Sequence, residues 1–123
     1  AKARGGISLD IGAHSREPDH VYLQNVKDGL ATVKEEFSAD FILYNAGTDC
    51  MIGDPLGNLS LSPDGIVARD EVIFRFAFEN RIPICMVLSG GYQQSNAPCI
   101  AESIDNLFKT FNLKTGGMAD QYQ

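Results

Sequence analysis

The chain has 123 residues, enough for one domain with a modest buried core, and 44% of them are hydrophobic against 21% charged. Sixteen acidic residues face ten basic ones, for a net charge of −6, and the basic residues are scattered rather than clustered; this excludes the concentrated Lys/Arg surface of a nucleic-acid-binding domain. No apolar run approaches the ~20 residues of a membrane helix. The opening Ala1–Gly6 stretch lacks the apolar stretch of a secretory leader, and its start at alanine reads as a trimmed end.

The predicted elements alternate along the chain. Ile7–Ile11 reads as a first strand. A helix is expected over Asp19–Phe37, where Tyr22, Val26, Leu30, Val33 and Phe37 recur every three or four residues and form one apolar stripe. Phe41–Tyr44 reads as a second strand. Ser62-Pro63-Asp64 opens a second helix, with Ser62 as N-cap, Pro63 in the first turn and Asp64 favouring the positive helix start. That helix carries Ile66, Val67, Ile73, Phe74, Ala77 and Phe78 and ends before Pro83. Ile84–Leu88 reads as a third strand, and a third helix begins near Asn96 and carries Ile100, Ile104, Leu107, Phe108 and Phe111. The runs at Phe41–Tyr44 and Ile84–Leu88 are continuously apolar, as in parallel strands buried on both faces. Strand–helix alternation implies an α/β fold with a parallel sheet and flanking helices. Residues 115–123 are polar and Gly-containing and are expected to fray.

In parallel α/β sheets, ligands bind beyond the carboxyl ends of the strands. Two unusual loops fall there: the long Asn45–Leu61 connection and Ser89-Gly90-Gly91-Tyr92. Asp49 follows the second strand, where a carboxylate either binds a metal or caps its own loop. Gly90 and Gly91 allow positive φ and a close approach to a ligand. Tyr92 either packs in a simple turn or offers its phenol to a developing oxyanion. Asp54 suits the turn before Pro55. Leu56, apolar in an exposed loop, either lines a substrate channel or tucks beneath the loop. A phosphate cradle is disfavoured, because no Lys or Arg flanks Gly90 or Gly91 and no GxGxxG or P-loop pattern is present.

The three cysteines, Cys50, Cys85 and Cys99, show no CxxC spacing, which argues against a disulfide framework or a thiolate zinc site and for a reducing intracellular setting. Packing is the default for all three. Cys85 lies in a strand expected to be buried, and Cys99 lies in a helix's first turn, where a thiol pKa can fall.

Together, Tyr44-Asn45-Ala46-Gly47-Thr48-Asp49, Gly53-Asp54-Pro55-Leu56-Gly57, Leu59 through Asp70 and Ser89-Gly90-Gly91-Tyr92 resemble, in order and spacing, the C-terminal part of the zinc-dependent histone deacetylase family. The Ser89–Tyr92 form and the Leu-Ser-x-Ser-Pro-x-Gly-Ile stretch look most like its class IV branch. The resemblance runs from about Ile7 to Phe108. It implies the C-terminal portion of an arginase/deacetylase-like fold over residues 1–113, with 114–123 as a tail. It also implies a zinc ion held in part by Asp49, Tyr92 as the catalytic phenol, and Leu56, Gly90 and Gly91 at the wall of an acyl-lysine tunnel. The implied reaction is metal-assisted hydrolysis of acyl-lysine amides on protein substrates such as histone tails, in the nucleus or cytoplasm, with a His pair as general base and acid.

The family's adjacent His-His pair and its Asp-x-His motif are absent from this sequence. His14 and His20 sit in neither motif. Asp10 and His14 lie near the end of the first predicted strand, but their spacing does not match Asp-x-His. One carboxylate does not hold a catalytic zinc, which normally takes three protein ligands, so the chain by itself is expected to bind zinc weakly or not at all and to be inactive. Two readings follow. The chain is part of a working deacylase whose other residues, or another copy, cover an exposed sheet, or it is a non-catalytic binding or oligomerisation module derived from that family. The acyl group remains open between acetyl and long fatty acyl chains.

Overall fold

The computed structural model describes residues 6–114. The stripe beginning at Tyr22 folds as helix α1, Asp19–Glu36. Ser62-Pro63-Asp64 starts helix α2, Pro63–Glu79, where the Ser62 hydroxyl accepts the Gly65 N–H at 3.0 Å. Helix α3 spans Asn96–Phe111 and ends at Asn112 in the left-handed conformation, with φ of 51°. Strands β1, Ile42–Asn45, and β2, Ile84–Val87, form a two-stranded parallel sheet, paired Ile42 with Ile84 through Asn45 with Val87. The result is a small α/β structure with the element order α1-β1-α2-β2-α3. Among the described residues, no helix is long and apolar enough to cross a membrane.

Helix α2 packs between α1 and α3. The starts of α1 and α2 are tied together: the Asp19 carboxylate accepts the Ser62 N–H at 2.9 Å and the Ser62 hydroxyl. A Cβ placed on Gly65 would lie 2.6 Å from Asp19 Cγ, so a side chain here would have to displace the Asp19 carboxylate. The approach sets a carboxylate at the positive end of α2, where it is stabilising.

The core has two parts. Cys50, Met51, Leu61, Ile66 and Cys99 pack together with Tyr22 and Leu59. Tyr44, Ala46, Phe74 and Leu107 form a second cluster, which Ile42, Ile84 and Met86 join from the sheet. Met51 and Leu61 are bridged across the long loop, so this connection folds around its own buried side chains.

Three sequence expectations need correction. Ile7–Ile11 forms no strand; Ile7, Leu9 and Ile11 are exposed, and the Ile11 side chain lies against Gly29 of α1. A strand is stable only when paired, and this segment meets a helix rather than a sheet edge. Among the described residues the sheet is also covered on one face only: Leu43 is 66% exposed, Val87 is 39% exposed and Cys85 is exposed too, because all three point away from Phe74 and Leu107. Finally, burial raises the Cys99 thiol pKa, overriding any lowering from the helix start. The expected fraying of residues 115–123 lies outside the described residues.

Candidate functional site

Because β1 and β2 run parallel and in register, both carboxyl ends open at one edge, and the ladder continues past them. The Ala46 N–H donates to the Val87 carbonyl at 2.8 Å, and the Thr48 N–H donates to the Gly90 carbonyl at 2.6 Å. These bonds draw the loop carrying Asp49 against the turn carrying Tyr92.

The Asp49 carboxylate lies directly over Gly90, where an added Cβ would come within 2.5 Å of Oδ2. Gly47 lies under the same carboxylate, 3.1 Å from Oδ1 by the same measure. Asp49 is exposed, and its carboxylate makes no hydrogen bond among the described residues. The capping role left open by the sequence belongs instead to Asp54. Its Oδ1 accepts the N–H groups of Leu56 and Gly57, each at 2.9 Å, and its Oδ2 accepts the Tyr92 N–H at 2.8 Å. Burial opposes the Asp54 charge, but the donors from Tyr92, Leu56 and Gly57 outweigh it and hold its pKa below the ordinary carboxylate value.

Gly91 has φ of 139°, and a Cβ there would meet Thr48 Oγ1 at 2.1 Å and Asn96 Nδ2 at 2.6 Å. Only glycine fits this position. Tyr92 is 59% exposed and Leu56 is 71% exposed. Leu56 therefore does not tuck beneath its loop. Asp49, Gly90, Gly91 and Tyr92 come together on one edge, and Leu56 stands on the same loop beside Asp54. They form an open surface rather than a tunnel. The larger grooves lie elsewhere, between α1 and α2 around Lys27 and Arg75, and beneath Phe78 and Pro83.

A buried polar group supports this edge from behind. Arg69 donates to the carbonyl of Gly47 at 2.7 Å, to Asp70 at 2.9 Å and to the Cys50 sulfur at 3.1 Å. Asp70 also accepts the Tyr44 hydroxyl at 2.5 Å and the Ser103 hydroxyl at 2.6 Å. Burial opposes the charge on Arg69, but the neighbouring Tyr44, Asp70 and Cys50 outweigh it and keep the guanidinium protonated. Burial raises the Tyr44 pKa, and the Asp70 charge adds to this. The bond to Gly47 pins the turn just before Asp49.

Sequence reasoning assigned no role to Ser103 or to the side chain of Asn96, which packs on Gly91. For Asp70 a signal existed: it continues the buried stripe Ile66, Phe74, Ala77 at helical spacing, and a carboxylate on such a stripe needs partners.

The histone deacetylase domain matches residues 1–108. The chain belongs to the histone deacetylase family. It is 43% identical over 114 residues to histone deacetylase 2 of Arabidopsis thaliana, covering 93% of this chain and 30% of that protein. It is 29% identical over 87 residues to an uncharacterized protein of Picosynechococcus, covering 71% of this chain and 29% of the relative. Histone deacetylase 6 of Caenorhabditis elegans is 31% identical over 74 residues, or 60% of this chain and 7% of that protein. The chain thus spans under a third of the length of these relatives.

The deacetylase fold family implies a zinc ion, and the residues present do not complete a site for one. Among the described residues, no group of three or more His, Cys, Asp and Glu side chains could hold a metal ion. His14 and His20 are both exposed, and Asp10 with His14 forms no such group. Asp49 presents an exposed carboxylate with no hydrogen bond among the described residues, close over Gly90.

Proposed function

We propose that this chain forms one wall of the active site of a zinc-dependent lysine deacylase of the class IV type, with an arginase-like fold in the whole protein. One observation carries the reading: the Asp49 carboxylate and the Tyr92 turn are packed together at the carboxyl edge of a parallel sheet, in a chain of the histone deacetylase family. Asp49 contributes one ligand, and the remaining ligands and the general base come from outside the described residues. The metal would supply polarisation of an acyl carbonyl and of water.

The chain's own residues have separable tasks. Asp49 presents unshared carboxylate oxygens to the site. Gly90 and Gly91 keep side-chain bulk away from them. Tyr92 holds its phenol at the rim, where it donates to the oxygen that becomes negative as the amide is attacked. Leu56 offers apolar surface beside the same edge for an acyl-lysine stem.

The substrate is an acyl-lysine in a protein such as a histone tail, and the setting is nuclear or cytoplasmic. The second point is supported by the free state of Cys50, Cys85 and Cys99. The exposed face at Leu43, Cys85 and Val87 is covered in the working protein by the rest of the deacetylase domain or by another copy.

The test is hydrolysis of acetyl-lysine and long-acyl-lysine peptides by the protein that carries this sequence. Tyr92→Phe is expected to lower kcat by roughly 10²-fold while the protein stays folded, and unchanged turnover would refute the assignment. The non-catalytic reading is favoured by the lone carboxylate. It predicts a folded protein that binds no zinc and hydrolyses neither peptide.

A further inference from the structure

Tyr92 lies in a stretch without regular structure. Strand β2 stops at Val87 and helix α3 starts at Asn96, and residues 88–95 between them belong to neither. Gly91, at φ of 139°, precedes it. Among the described residues, Tyr92 makes one hydrogen bond, from its backbone N–H to Asp54 Oδ2 at 2.8 Å. The phenol itself is exposed and bonded to nothing.

We infer that Asp54 is the positioning residue for Tyr92: its carboxylate clamps the loop that carries Asp49 to the turn that carries the phenol, and so fixes the distance between them. The clamp uses both oxygens. Oδ1 closes the Leu56–Gly57 turn within its own loop, and Oδ2 reaches across 38 residues of sequence to Tyr92. Asp54 is buried, so water competes poorly for these bonds. Other ties run alongside, from the Thr48 N–H to the Gly90 carbonyl and from Gln93 Nε2 to the Ile52 carbonyl at 3.2 Å, but neither engages the phenol's own residue. Asparagine cannot replace Asp54. It has one carbonyl oxygen, and its amide nitrogen would face an N–H donor, so it satisfies one arm of the clamp and opposes the other.

The consequence for catalysis rests on the deacylase reading of Tyr92, but the clamp does not, and it is tested without activity. In the protein that carries this sequence, nuclear magnetic resonance is expected to detect through-hydrogen-bond coupling between the Tyr92 amide nitrogen and the Asp54 carboxyl carbon. In Asp54→Asn, exchange of the Tyr92 amide is expected to speed up by about tenfold, with the interior amides of α2 unchanged. A merely structural Asp54 would alter the Leu56 and Gly57 amides and leave Tyr92 as it was. Absence of the coupling in the unsubstituted protein, or unchanged Tyr92 exchange in a folded Asp54→Asn variant, would overturn the inference. A protein that shows the coupling yet hydrolyses no acyl-lysine would defeat the deacylase reading and leave the clamp standing.

Discussion

The Asp49 carboxylate occupies the space that a side chain at residue 90 would need: a Cβ on Gly90 would sit 2.5 Å from Oδ2 and 2.7 Å from Cγ. No real Cβ contact is so short, so Gly90→Ala must displace the carboxylate. In the protein that carries this sequence, zinc affinity is expected to fall by about 10–100-fold while the unfolding midpoint moves little. Isothermal titration with zinc beside a thermal melt checks this, and equal zinc affinity in both proteins would show that the carboxylate's position is irrelevant to the metal.

Asp70 serves three partners at once: Arg69, Tyr44 and Ser103. The side chains of Arg69 and Asp70 are 6% and 5% exposed, so removing the carboxylate strands a buried guanidinium. Asp70→Ala is expected to cost about 3–5 kcal/mol, and to free the Gly47 turn as Arg69 moves. Urea unfolding followed by circular dichroism measures the loss.

Two leucines of the same loop should respond differently. Leu61 is 1% exposed and belongs to the cluster with Met51 and Ile66, so Leu61→Ala is expected to cost about 2–5 kcal/mol. Leu56 is 71% exposed, and Leu56→Ala is expected to change stability by less than about 0.5 kcal/mol. A large effect at Leu56 in the same unfolding experiment would mean that its surface is covered.

Stability should decline on both sides of neutral pH. Asp54 and Glu71 titrate below their ordinary values of 3.8 and 4.5, Asp54 because three N–H groups outweigh its burial and Glu71 because Asn106 and Arg75 bond to it. A carboxyl lowered on folding contributes stability above its unfolded pKa, and that stability is lost as pH falls through the folded pKa. Tyr44 is shifted the other way, upward from 10.0, chiefly by burial. Its contribution is complete below pH 10.0 and is lost as pH rises above that value. Denaturation midpoints across this range should therefore fall below about pH 4 and again above about pH 10.

How much of this was legible in the sequence depended on range. Helix α2 was readable because its start is local chemistry, with Ser62 and Pro63 fixing the first turn, and because Pro83 lies just beyond its end. Placing the site at the strand ends followed from topology alone. The segment Ile7–Ile11 misled because an apolar run declares that it needs a neighbour without saying which, and α1 supplied the contact at Gly29. The bare face at Leu43 and Val87 was legible only through the resemblance: continuous apolar strands by themselves imply burial on both faces, whereas the missing upstream motifs imply an uncovered sheet, and one covering layer is present among the described residues. Asp54 could be assigned to its own turn, but its bond to Tyr92 spans 38 residues and needed coordinates.

The most direct test of the account compares zinc content and acyl-lysine hydrolysis in the protein that carries this sequence and in its Asp49→Asn variant. The account predicts about one zinc per molecule with hydrolysis in the unsubstituted protein, and loss of both in the variant. Unchanged zinc content and turnover in Asp49→Asn would contradict it.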